Sequence, residues 1–426
     1  MVFEVAIGQS RAWDPQKAGE EVVTSALEKM KHPPKIFLLF STIHFDKERR
    51  GMQKFVRSAH NKLPRETQMI GGTIAGFINN YGSFTRGATG LAIYSDEMDI
   101  GVGVGRNTKR NPKKSAEKCA KEIKSLLRNS KYKNKVLVDL IAGPVVPTFP
   151  GVGQTRVLKG TLAKLAVPLL TLSMKVFQKG FGRENEVLKE LAQQFQDFSI
   201  IGGATIDNNA LQKNYQFYAS KILENSVICL GIQSQIKAEL VTGHGLTPAG
   251  IKFKVTKKAL WNYVISEIDG KPATSRLIEL LGWPEKLLDE RLYRRTFYYP
   301  LISKDEQGNQ YPNVIGAFLG NHIACGFPIE SDDVEIRCTS GKRLISTVKI
   351  AMESSKTKKP KLGFGVSCAA RLETLGMQIF KVYAVLKNHF GETPFLVVYM
   401  GGEDLRIVGN KQFHLNETFN MSIWAE

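Results

Sequence analysis

Apolar positions along the chain follow two alternating rhythms. Short apolar runs, such as 36–40 (IFLLF), 136–142 (VLVDLIA, broken by one Asp) and 395–399 (FLVVY), predict strands covered on both faces. Between them Ala18, Val22, Val23 and Ala26, and later Met52, Phe55, Val56 and Ala59, recur at helical spacing. Asp14 is placed to cap the first of these helices, and Pro33-Pro34 to stop it.

The two rhythms combine into one unit that occurs three times. A strand and a helical stretch lead to an apolar strand carrying a glycine pair, and another apolar run follows. The pairs are Gly71-Gly72 in QMIGGTIAG, Gly202-Gly203 in FSIIGGATIDNN and Gly401-Gly402 in PFLVVYMGGED. Each reads as a tight turn that glycine tolerates, between a buried strand and its return strand. In the last copy His414, Asn416 and Thr418 alternate and so share one face, beside Glu403. The expected fold is α/β in the mixed α+β sense. It comprises two related sheet-and-helix domains built from β-α-β-GlyGly-β units with antiparallel hairpins.

Further local readings follow from the pattern. Residues 88–94 and 98–105 read as a hairpin turning at Ser95-Asp96-Glu97. Residues 215–219, 226–234 and 236–241 read as three antiparallel strands, and 291–302 (RLYRRTFYYPLI) alternates as a strand would. The Gly/Pro-rich stretch 143–153 reads as a loop at a strand end, where ligand sites of α/β proteins often lie. GVGVG at 101–105 lacks the GxGxxG spacing of a dinucleotide fingerprint.

Composition narrows the function classes. A chain of 426 residues with a 42% hydrophobic fraction supports about two domains with real cores. Five scattered cysteines form neither a disulfide framework nor a zinc signature. The N-terminus has no signal-peptide pattern, and the most apolar stretch, 162–177, is broken by Lys164, Pro168 and Lys175. The expectation is a cytoplasmic protein without a membrane span. The net charge of +19 concentrates in runs at 106–114, 131–135 and 356–361. They lack aromatic interleaving and accompany no nucleic-acid motif, so they read as solvated loops and nucleic acid as an improbable partner.

An ordered set of motifs then resembles the FIST domains, named for F-box and intracellular signal transduction proteins. GGTIAG (71–76) and GGATIDNN (202–209) resemble the N-terminal part of that family. HGLTPAG (244–250), EIDGKPA (267–273), LLGW (280–283), SCAAR (367–371), PFLVVYMGGED (394–404) and HLNET (414–418) resemble its C-terminal part. The resemblance implies a FIST-N-like domain over 1–243 and a FIST-C-like domain over 244–426. It also implies a sensory module that binds a small molecule, amino-acid-like among the options, and signals through a separate, unidentified protein partner.

Candidate contacts follow from residue chemistry. Arg371 can pair a carboxylate bidentately and Glu403 can take an ammonium, with Tyr399, Gly402, His414 and Asn416 beside them. Asp207 and Asn208 are the matching residues of the second copy, unless they only turn the backbone. Gly72 and Thr73 offer amides and a hydroxyl in the first. Catalysis is not expected; the alternative is a hydrolase or transferase using Cys368 and His414 as thiol and base. No cofactor is expected, with noncovalent haem on His44, His244 or His414 as the other alternative. No metal-ligand spacing occurs.

Overall fold

The computed structural model describes residues 1–148, 153–159, 163 and 165–425. The glycine-pair unit is present three times. The first comprises β1 (Phe3–Ser10), α1 (Pro15–Leu27), β2 (Ile36–Ser41), α2 (Gly51–Lys62), β3 (Gln68–Thr73), a hairpin β4 (Gly76–Asn79) and β5 (Gly82–Phe84), and β6 (Ala88–Ser95). In the second, β7 (Met98–Arg106), α3 (Pro112–Leu126) and β8 (Asn134–Ala142) come first. Then follow β9 (Val157–Leu158), α4 (Ala166–Val176), α5 (Glu184–Gln194), β10 (Ser199–Thr205), hairpin β11 (Gln216–Tyr218) and β12 (Lys221–Leu223), and β13 (Ser226–Ser234).

The third unit opens with β14 (Lys237–Gly243) and is then interrupted by an insert. The insert holds β15 (Thr247–Ala259), β16 (Val264–Ile268), β17 (Lys271–Pro272), α6 (Ala273–Leu280) and α7 (Glu290–Arg295). It continues through β18 (Leu301–Lys304), β19 (Gln310–Asn313), β20 (Ile315–Leu319), β21 (His322–Cys325) and β22 (Asp333–Cys338). The unit resumes with α8 (Gly341–Ser354), β23 (Leu362–Cys368), α9 (Ala369–Leu375), α10 (Ile379–Phe390) and β24 (Phe395–Met400). Hairpin β25 (Glu403–Arg406) and β26 (Phe413–Leu415) precedes the last strand, β27 (Phe419–Ala425).

Each unit builds one six-stranded mixed sheet, and each lends its hairpin to another. The orders are β1-β6-β2-β3-β11-β12, β7-β13-β8-β10-β25-β26 and β14-β27-β23-β24-β4-β5. The central pairs β2/β3, β8/β10 and β23/β24 are parallel. The hairpin of the first unit thus completes the third sheet, that of the second the first, and that of the third the second. The fold is mixed α+β, as the pattern predicts.

Alternation within the buried strands explains the assembly. Leu38 and Phe40, Val138 and Leu140, and Phe364 and Val366 turn inward from the three sheets into one shared core. The opposite faces are covered by helices: Phe37 and Leu39 pack with Val22 and Phe55, and Leu137 and Ile141 with Ile123 and Leu188. The third sheet packs Val397 against Val348 and Val382. Asp14 caps α1 as expected, accepting from the Lys17 N–H at 2.6 Å.

Several local readings are corrected. The glycine pairs of the first two units lie inside β3 and β10 rather than in turns; the third separates β24 from β25. Glycine is required there by close approach. A Cβ on Gly71 would sit 1.7 Å from the Leu39 carbonyl oxygen, and one on Gly203 2.1 Å from that of Gly402. Strands β6 and β7 do not form a hairpin, because β6 is already paired on both edges, by β1 and β2. β7 pairs β13 instead. β13 and β14 likewise belong to different sheets, so 215–241 is no meander. The expected strand at 291–302 is mostly helical, because Asp289 accepts from the Leu292 N–H at 2.8 Å and caps α7. Of the 143–153 loop, 149–152 lie outside the described residues. Among the described residues no helix is long and apolar enough to cross a membrane.

Candidate functional site

A cavity of about 100 Å³ lies where the second and third units meet the insert. The 144–147 segment, Phe181 and Glu184 come from the second unit, Ala317, Ala324 and Cys325 from the insert, and Cys368, Ala369, Ala370 and Gly401 from the third. Its walls are largely apolar. Glu184 is the acid among them, only 2% exposed and with no side-chain hydrogen bond to another described residue. Burial raises its pKa, against the pull of His414 and Lys109.

Behind Glu184 runs a chain of buried ionisable groups. His414 Nδ1 lies 2.6 Å from Asp404 Oδ1. Asp404 in turn faces Asp139, and all three side chains are withdrawn from solvent. Burial, then Asp404, pushes Asp139 well above the usual carboxylate range. Burial lowers the His414 pKa against the opposing effect of Glu184 and Asp139. Lys109, also buried, has its ammonium brought down to about 8 by desolvation, against Glu184 and Glu224.

A second cluster lies under α9. Glu403 Oε2 accepts from the Thr418 N–H at 3.1 Å and its hydroxyl at 2.8 Å. Burial pushes Glu403 up to about 8. Glu417 is pushed to about 8 by the same cause, against the attraction of Arg371. Arg371 is 1% exposed and donates to the carbonyl oxygens of His244 (2.9 Å), Glu417 (3.1 Å) and Leu344 (3.3 Å).

The structure therefore divides the expected site residues. Arg371, Tyr399, Gly402, Glu403, His414 and Asn416 are gathered in the third unit, behind the cavity. Asn416 Nδ2 donates to the Gly401 carbonyl at 3.3 Å, and its Oδ1 accepts from the Val314 N–H, tying this unit to the insert. Thr73 and Gly72 sit at the seam between the first two units, where Thr73 Oγ1 accepts from the Tyr215 N–H at 2.9 Å. Asp207 turns its own loop, accepting from the N–H groups of Leu211 and Gln212 at 2.9 and 2.7 Å, and Asn208 is exposed beside it.

Cys368 and His414 are not hydrogen-bond partners of each other. The Cys368 thiol faces Glu403, and His414 is bonded to Asp404. Burial, then Glu403 and Glu417, pushes the Cys368 thiol well above its usual pKa, which disfavours the thiolate. Glu184, Asp139, Asp404 and Lys109 escaped the sequence reading. Asp139 had a signal, as the one charge inside VLVDLIA. Glu184 had none, since the groups that define its role lie far away in the chain.

Comparison with known proteins places the chain. It is 28% identical over 202 residues to an uncharacterized protein of Methanocaldococcus jannaschii, a match spanning 45% of this chain and 36% of that relative. The chain thus covers about a third of the relative's length. Among solved structures, a cyanuric acid hydrolase from A. caulinodans aligns over 100% of this chain and 99% of its own, with a TM-score of 0.39 and 7% identity. A likeness that distant carries no argument about activity. The FIST N domain model matches residues 35–271, more than half of the chain. The protein belongs to the FIST family, whose domain is associated with sensing in signal transduction.

Proposed function

We propose that this protein is a small-molecule sensor whose ligand occupies the cavity beside Glu184 and whose bound state is read by a separate protein partner. The observation that carries this reading is the cavity itself: apolar walls from three parts of the fold, with one buried carboxylate that bonds to no other described residue. Pockets for drug-sized molecules run to roughly 300–1,000 Å³, so a cavity of about 100 Å³ suits a ligand of a few heavy atoms. The lone acid favours a cationic or hydrogen-bond-donating end, and the apolar walls favour an aliphatic body. Small amines and the shortest amino acids meet that description.

The gathered residues of the third unit then support the cavity wall. Asn416 holds the Gly401 carbonyl, and Gly402 is small because a Cβ there would meet His414 at 2.6 Å. Gly72 and Thr73, and Asp207 and Asn208 in the loop between the cavity-lining Ile206 and Asn209, belong to the proposal as residues that transmit its state across the seams. Seams joining all three units give a ligand one route to bias the whole assembly.

Thermal-shift measurements with a series of aliphatic primary amines, and alcohols of the same shape, test the reading. An amine should raise the melting temperature, its matched alcohol should do so far less, and Glu184→Gln should remove the difference. Binding should also strengthen as pH rises through the raised pKa of Glu184, since the ligand favours the ionised carboxylate. No shift with any amine, or an equal shift in Glu184→Gln, would defeat the proposal.

A further inference from the structure

Two of the basic runs that look like unrelated solvated loops in the sequence meet in space. Lys133 from the run before β8, Lys237 at the start of β14, and Lys356, Lys358 and Lys359 from the loop after α8 line one groove of about 1050 Å³. Among the described residues, none of these five has an ion-pair partner. Among the described residues, the acids lining the groove are already engaged. Asp197 pairs Lys135 at 2.5 Å. Glu239 accepts from Ser355 Oγ, the N–H groups of Lys356 and Thr357, and Thr357 Oγ1, at 2.7 to 3.1 Å.

That second set of bonds matters for function. A run rich in lysine repels itself and would be expected to wave in solvent. Here a half-buried carboxylate holds the base of the loop, so Lys356, Lys358 and Lys359 are presented to the groove rather than left free. Hydrogen bonds to the ionised form keep the Glu239 carboxylate charged against its burial, which strengthens the anchor.

We infer that this groove is a docking site for an extended acidic segment of a partner protein. Charge complementarity sets the sign of the partner. The groove's shape and floor set its class. Val136, Ala238, Val408 and Ala425 give an apolar floor between the ammonium groups, which suits aliphatic side chains alternating with carboxylates. Among the described residues no aromatic side chain or arginine lines it, so it has nothing to stack a nucleobase or grip a phosphate bidentately. A concave site also fits a single extended chain better than a flat lipid surface. The first residues of β14, the outer strand of its sheet, border the groove.

Fluorescence anisotropy of the full chain tests this with a labelled peptide of about twelve residues alternating Glu and Val. A thymidine oligonucleotide of similar length and phosphatidylserine vesicles serve as competing probes. Substituting Lys133, Lys237, Lys356 and Lys358 together by Gln should weaken peptide binding about tenfold or more, and flatten its salt dependence. The same change at Lys113, Lys114, Lys118 and Lys121 on α3, exposed and remote from the groove, should leave binding near that of the parent. Absence of peptide binding, or equal loss in both variants, would overturn the inference. Tighter binding of the oligonucleotide or the vesicles through the groove lysines would overturn it as well. Because the lysines lie outside the cavity, failure here would leave the amine-binding reading intact, and the converse holds.

Discussion

Glu403 and Glu417 put two carboxylates into the core beside one guanidinium, and the consequences for pH follow from that placement. Both have folded pKa values near 8 against an ordinary 4.5, so the folded state keeps protons that the unfolded chain releases. Stability should therefore fall as pH rises from about 4.5 towards 8 and level off above, each group adding a slope of about 1.4 kcal/mol per pH unit. Melting curves from pH 5 to 8 check this: Glu403→Gln should flatten the fall, and a steeper fall in that variant would refute the assignment. Arg371 is the other test at this scale. Replacing it by Met strands three buried carbonyl oxygens and removes the positive charge that attracts Glu417, at a cost of about 3–5 kcal/mol in urea denaturation. A loss below about 1 kcal/mol would mean that water reaches those groups. The type and pairing logic of these residues was only partly legible in the sequence. Arg371 and Glu403 were recognisable as important, but their partners are backbone carbonyls and Thr418, which no side-chain pattern announces. Glu184 was invisible because its environment is assembled from three separated stretches.

At the scale of elements, periodicity was informative wherever burial was one-sided or complete. The stripes of α1 and α2 and the fully buried β2 appear where the pattern puts them. Short hairpins were not legible, because GFIN in β4 carries the same pattern whichever sheet it joins; it joins β24, more than 300 residues away. The third glycine pair does separate two strands as the pattern predicts, whereas the first two do not turn the chain. They serve strand crowding at the seams, and this makes a distinct prediction. Gly71→Ala should destabilise the protein by about 1–3 kcal/mol or more, since its Cβ would press on the Leu39 carbonyl. Gly270→Ala, in a turn at φ 75° with open space around it, should cost about 1 kcal/mol through backbone strain alone. Equal effects in denaturant titrations would remove the crowding argument.

Across the whole molecule, the cyclic exchange of hairpins means that each sheet needs strands from two units. Strands from both sides of residue 243 share the second and third sheets, and their inner faces form one core. Calorimetry should accordingly show the three units melting together, with van 't Hoff and calorimetric enthalpies in agreement for that transition. A separate early transition for one unit would contradict the interlocking. This assembly places the small cavity where the second unit, the third and the insert converge, so that filling it touches all three. Native mass spectrometry of gently purified protein, comparing the parent chain with Ala317→Leu, tests the central claim most directly. Leu at 317 fills the cavity, and circular dichroism verifies that the fold is kept. The account predicts a small bound molecule on the parent that is absent from Ala317→Leu and lost on denaturation. A parent that takes up no molecule even when incubated with the amine series, or an adduct that persists in Ala317→Leu, would contradict it.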